Sequence, residues 1–98
     1  MTAAQSPMTR EDLRVVSVAI KLRDVVYSLP PPARHHDVIR DMRVRHGIVE
    51  DQNAEWEQGF LLNDGRFARR VAAGAIAVGN GQIAALKWPP NLYSEDLW

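Results

Sequence analysis

The chain has 98 residues, 46% of them hydrophobic and 24% charged, and its 12 basic and 12 acidic side chains cancel. That length argues for one domain, residues 13–98 behind a polar leader at 1–12, and the composition is globular rather than disordered or fibrous. Zero net charge argues against binding a nucleic-acid polymer or an anionic membrane surface, and the lack of Cys excludes disulfides and thiolate metal sites.

The leader lacks a basic segment followed by an apolar run, and no apolar stretch approaches the roughly 18 residues of a membrane span, so a cytoplasmic protein is expected. Val16–Leu22 alternates large apolar with small or polar residues, the period of a half-buried strand. Val25–Leu29 is β-branched and aromatic and reads as a second strand, with Arg23-Asp24 as the hairpin turn between them. Pro30-Pro31-Pro32 stops that strand and opens a helix over Ala33–His46, whose apolar stripe is His35, Val38, Ile39, Met42 and His46. Gly47 suits its C-terminal stop.

Residues 50–57 are acidic and read as a loop. The pair Asp64-Gly65 lies between Phe60-Leu61-Leu62-Asn63 and Arg66-Phe67-Ala68, a hairpin marker. A two-residue turn there sets Leu62 opposite Phe67 and Asn63 opposite Arg66. Arg69–Val78 reads as an Ala-rich helix with a small-residue face at Gly74, Ala75 and Val78, and Gln82–Leu86 as a further short helix. Ser94 caps a last turn ahead of Glu95 and Asp96. The sum is an α+β domain: a small antiparallel sheet with two main helices on one side, in the order β-β-α-β-β-α-tail.

Ten of the twelve basic residues are Arg. Arg offers a rigid, always-charged fork for phosphate or carboxylate, although GC-rich coding favours it too. Arg34-His35-His36-Asp37 stands at a helix start, where free amides and the dipole favour an anion. The plainer alternative packs His35 under Pro30–Pro32 and leaves His36 in solvent. Neighbouring helical histidines point about 100° apart, which does not suit a shared metal. Gly65-Arg66-Phe67, with Arg69 and Arg70, supplies three guanidinium groups beside one flat ring. Phe67 either stacks on a base or packs on Leu62. Asp51, Glu55, Glu57 and Asp64 have no nucleophile or metal scaffold near them and read as solvated. Ser17, Ser28 and Ser94 lack the context of a nucleophile elbow. No catalytic residue, metal ligand or cofactor is expected. A thin core and a tail ending in Trp98 point to self-association.

The segments 30–40 (PPPARHHDVIR), 57–70 (EQGFLLNDGRFARR), 81–82 (GQ) and 92–98 (LYSEDLW) resemble, in order and spacing, the type-one Thoeris anti-defence proteins of phages. The resemblance covers residues 15–98. In that family the helix matching 69–78 is usually charged; here it is rich in Ala and Gly. The resemblance implies a sponge that holds a cyclic ADP-ribose isomer without turnover, sometimes with cyclic oligonucleotides at a separate site. It also implies a homo-oligomer, dimer-based and often a hexamer, with ligand sites between subunits. The matching positions are Arg34, His35, His36, Asp37, Gln58, Phe60, Gly65, Arg66, Phe67, Arg69, Arg70 and Gln82. On this reading Arg66 and Arg70 hold the diphosphate and Phe67 stacks on adenine, while Arg34, His36 and Gln58 contact phosphate or ribose. Two alternatives stay open: a metal-independent phosphodiesterase with His35 or His36 as acid and base, and a regulatory module that docks a protein through the Trp98 tail.

Overall fold

The computed structural model describes residues 13–48 and 56–98. The leader and the acidic positions Asp51 and Glu55 lie outside the described residues. The elements are β1 (Val15–Leu22), β2 (Val25–Leu29), α1 (His35–His46), β3 (Trp56–Leu62), β4 (Phe67–Arg69), α2 (Arg70–Gly79) and a 3-10 turn at Ser94–Asp96. The four strands form one antiparallel sheet in the order β2-β1-β3-β4. Both helices pack on one face, α1 over β1 and β2, α2 over β3 and β4. This is the expected α+β architecture. Among the described residues, no helix is long and apolar enough to cross a membrane.

Register decides which side chains meet the helices. Val18, Phe60 and Ala68 stand opposite one another across β1, β3 and β4, and all three are buried. An irregularity between Val15 and Ser17 adds a residue to β1, so Val15 rejoins the helix-facing side opposite Leu62. The core is completed by Ile20, Val38, Met42, Ala73, Ala77 and Leu92. In the first hairpin Arg23 takes φ 57, a position glycine usually fills, so strand pairing rather than turn chemistry holds that register.

α1 starts two residues after Ala33. The Arg34 amide donates to the Asp37 carboxylate at 2.8 Å, which uses an acidic first-turn residue to satisfy a helix-start donor. Gly47, at φ 68, ends the helix, and the Ile48 amide reaches back to the Met42 carbonyl at 3.0 Å.

Four expectations need correction, the last of them in the tail. Residues 56 and 57 are strand, not loop: Glu57 lies opposite Lys21 on the sheet face without helices, where an antiparallel sheet accepts charge. The second turn has three residues, Asn63-Asp64-Gly65, with the Gly65 amide donating to the Leu62 carbonyl at 2.9 Å and only Gly65, at φ 92, in the left-handed region. Phe67 therefore faces Leu61 rather than Leu62, a one-residue slip that reverses its face. Residues 82–86 form no helix.

The reason residues 82–86 are not helical lies in two amide side chains, which offer the backbone partners other than a helix ladder. Gln82 accepts from the Val15 amide at 2.9 Å and donates to the Val15 carbonyl at 2.6 Å. Asn80 accepts from the Gln82 amide at 2.7 Å and donates to the Leu13 carbonyl. Gln82 thus acts as a one-residue extension of the sheet. Gln82→Ala should cost about 2 kcal/mol in urea unfolding, because both Val15 main-chain groups lose a partner. Unchanged stability would show that water replaces the amide freely.

The chain after α2 folds back across it. A Cβ at Gly74 would lie 3.2 Å from Leu86 Cδ1 and from the Pro90 carbonyl oxygen, so part of the small-residue face serves close packing within the chain. Ser94 does not cap the tail turn. Asp96 does, accepting from the Tyr93 amide at 3.0 Å.

Candidate ligand-binding site

Strand β4 runs straight into α2, so Arg69 becomes the helix N-cap and Arg70 its first residue. No side chain caps this end and no acidic residue stands in its first turn. The Arg70 guanidinium donates to Gln58 Oε1 at 2.6 Å and to the Leu92 carbonyl at 2.8 Å, and lies 4.5 Å from the centre of the Tyr93 ring. Burial pushes its pKa down, while Tyr93 and Glu95 oppose the shift. It stays charged, since guanidinium ionises far above neutrality. The Leu92 amide donates back to the Arg70 carbonyl at 3.1 Å.

The start of α1 approaches the same tail. Arg34 donates to Ser94 Oγ at 3.1 Å and to the main-chain oxygen of Trp98, and the Trp98 indole donates to the Ala33 carbonyl at 3.0 Å. Glu95 lies 3.9 Å from Arg34. Its carboxyl is held below the usual range first by a backbone amide, then by the Ser94 hydroxyl and the charges of Arg34 and Arg70; desolvation opposes.

His35 joins the two helix starts from beneath. Its Nε2 donates to the Gly59 carbonyl at 2.7 Å, and its ring meets Phe60 edge-on at 5.2 Å. The carbonyl can only accept, so the proton sits on Nε2. Burial lowers the His35 pKa below 6.5 and Arg70 pushes the same way, against the Gly59 bond and Glu95. The native state therefore favours neutral His35. Its contribution is complete above the unfolded value of 6.5 and is lost as pH falls from there through the folded value. Melting temperature should drop as pH falls below 6.5, and His35→Gln, which keeps a donor for Gly59, should flatten that slope. An equal slope in both proteins would assign it elsewhere.

A groove of about 470 Å³ opens beside Arg70, lined by Glu57, Gln58, Arg69, Arg70, Val71 and Asn91. Arg69 stands at its rim, its guanidinium forked onto Glu57 with two contacts of 3.0 Å. Gln58, Arg69 and Arg70 are thus gathered at the groove, with Arg34 and His35 reached through the tail. Sequence reasoning missed Asn91, Tyr93 and Glu95. The one signal for them was a tail dense in polar and aromatic residues.

The other candidate residues lie elsewhere within the chain. Arg66 sits at the hairpin tip, tied to Asp64 at 2.6 Å. That contact and the Arg66 amide hold the Asp64 carboxyl below its usual range, the amide being the larger cause. Phe67 lies on the sheet face opposite the helices, its ring over Gly59 and 6.0 Å from the Lys21 ammonium. Arg66 and Phe67 line a second groove, of about 360 Å³, together with Arg69, but Arg70 is not part of it, so the grouping of Arg66, Phe67 and Arg70 on one concave surface does not form within a single chain. Gly65 serves the turn, Asp37 the helix start, Phe60 the core and Gln82 the edge of β1. His36 is exposed, 3.4 Å from Asp37. Among the described residues, no three His, Asp or Glu side chains gather closely enough to hold a metal ion.

Fold and groove together define a two-layer α+β protein with an arginine-lined cleft where its second helix begins. The chain belongs to the phage T4 y16D protein family, whose model matches residues 14–98, so this is a phage protein. No curated protein and no solved structure matches it.

Proposed function

We propose that this phage protein captures a cyclic ADP-ribose-type nucleotide signal in the groove beside Arg70 and holds it uncleaved, as an anti-defence sponge. The observation that carries the reading is Arg70 itself. It is a half-buried guanidinium, oriented by Gln58 and Tyr93, at an uncapped helix start beside an open groove. Phosphate binding calls for such a fork together with main-chain amides. Arg69 adds a second fork once it leaves Glu57, and Glu57 is then placed to accept ribose hydroxyls. The resemblance of segments 57–70 and 92–98 to the Thoeris anti-defence proteins supports the same ligand class. Cyclic oligonucleotides at a separate site belong to the same expectation.

Calorimetry with cyclic ADP-ribose isomers tests the reading. Tight binding is expected, and Arg69→Ala should weaken it about tenfold, or about 1.4 kcal/mol. The melting temperature should hardly move, because Arg69 is exposed. Ligand recovered intact after heating supports a sponge, whereas a cleaved product supports a phosphodiesterase. No heat at micromolar protein would overturn the proposal.

A further inference from the structure

Among the described residues, β2 is an edge strand without the usual protection. Val25–Leu29 contains no charge, no Pro and no bulge, and Val25 and Val26 are 50% and 38% exposed. Edge strands that stay solvated normally carry such devices. The register with β1 shows which groups are free. Leu22 and Val25 close the hairpin, so the residues hydrogen-bonded to β1 are Val25, Tyr27 and Leu29. The main-chain groups of Val26 and Ser28 point away from the sheet.

Two donors and two acceptors at this spacing complement themselves. When a second β2 runs antiparallel with Tyr27 opposite Tyr27, Val26 faces Ser28 of the second copy. Each such pair exchanges two hydrogen bonds, and the two-fold axis repeats it.

The layer above fits the same axis. α1 packs on both β1 and β2, so its axis lies near the line between them. With strands about 4.8 Å apart, the two-fold would set the two α1 axes about 10 Å apart, a normal helix packing distance. The α1 surface on that side borders a groove of about 330 Å³ lined by Leu29, Asp37, Arg40, Asp41, Val44 and Arg45. Val44 is 74% exposed there. Tyr27, on the axis, meets His46 at the end of α1, so antiparallel helices would bring the exposed Val44 of each copy toward the centre. Backbone complementarity, helix spacing and the exposed Val44 agree on one occupant, a second copy of this chain.

We infer that this edge is a homodimer interface, in which β2 pairs with β2 of a second copy to form a continuous eight-stranded sheet. It involves none of the groove residues, so the dimer and the nucleotide reading can fail separately.

The full chain should sediment at twice its 11.0 kDa mass. Val26→Pro removes an amide that β1 does not use and should give a folded monomer, with circular dichroism as the check on folding. Because the chain has no Cys, Tyr27→Cys should form a disulfide-linked dimer in air, while Lys21→Cys on neighbouring β1 should stay reduced. A wild-type monomer at about 100 μM would overturn the inference. So would a Val26→Pro dimer, or equal cross-linking at both cysteine positions.

Discussion

Gly59→Ala should destabilise the protein by about 3 kcal/mol or more, upwards of about 12 °C in melting temperature for a chain of this size. A Cβ at position 59 would lie 2.3 Å from the Ala68 carbonyl oxygen and 2.7 Å from the Phe67 ring. The ring can turn away, but the carbonyl belongs to the paired strand, so β3 and β4 must separate. Two further losses follow. The Gly59 carbonyl is the acceptor for His35, and β4 delivers Arg69 and Arg70 to the groove. Ligand binding should therefore weaken along with stability. Gly79→Ala provides the control, since nothing lies within 4 Å of a Cβ there and the residue ends α2. That change should be neutral or slightly stabilising. A Gly59→Ala protein melting within a degree or two of the wild type would show that β3 and β4 do not pair closely enough to set the Ala68 carbonyl against position 59.

The second large effect is expected at Leu92. The residue is fully buried against the core, although it lies in an irregular stretch well beyond the last helix. Leu92→Ala should cost about 2–5 kcal/mol in denaturant unfolding, the range for a truncated buried leucine. Its main-chain bonds to Arg70 remain possible, so the loss measures packing. Hydrogen exchange should quicken first in residues 91–98, because Leu92 anchors the segment that presents Asn91, Tyr93 and Glu95. Removing residues 92–98 would remove core as well as tail, so a truncated chain does not isolate any role of Trp98. A loss below 1 kcal/mol would mean that the tail docks loosely.

Both effects arise where local sequence patterns were silent. Alternation at 16–22 and the β-branched run at 25–29 made the first hairpin readable, because each strand has one buried face. The stripe of His35, Val38 and Met42 made α1 readable for the same reason at helical period. The start of β3 is not legible in the sequence, because Glu57 and Gln58 look like loop residues until Lys21 is seen opposite one and Arg70 beside the other. The Asp64-Gly65 pair correctly marked a turn but not its length. Two- and three-residue loops share that signal, and the additional residue moved Phe67 to the other face.

The sequence by itself determined the α+β class, the element order and the arginine-rich start of α2, since these follow from periodicity, breakers and composition along the chain. Tertiary structure alone decided which arginines share a groove, that Gln82 extends the sheet, and that Leu92 belongs to the core. Those outcomes depend on contacts between residues 12 to 67 positions apart, and no local pattern encodes which distant main-chain groups are left needing a partner.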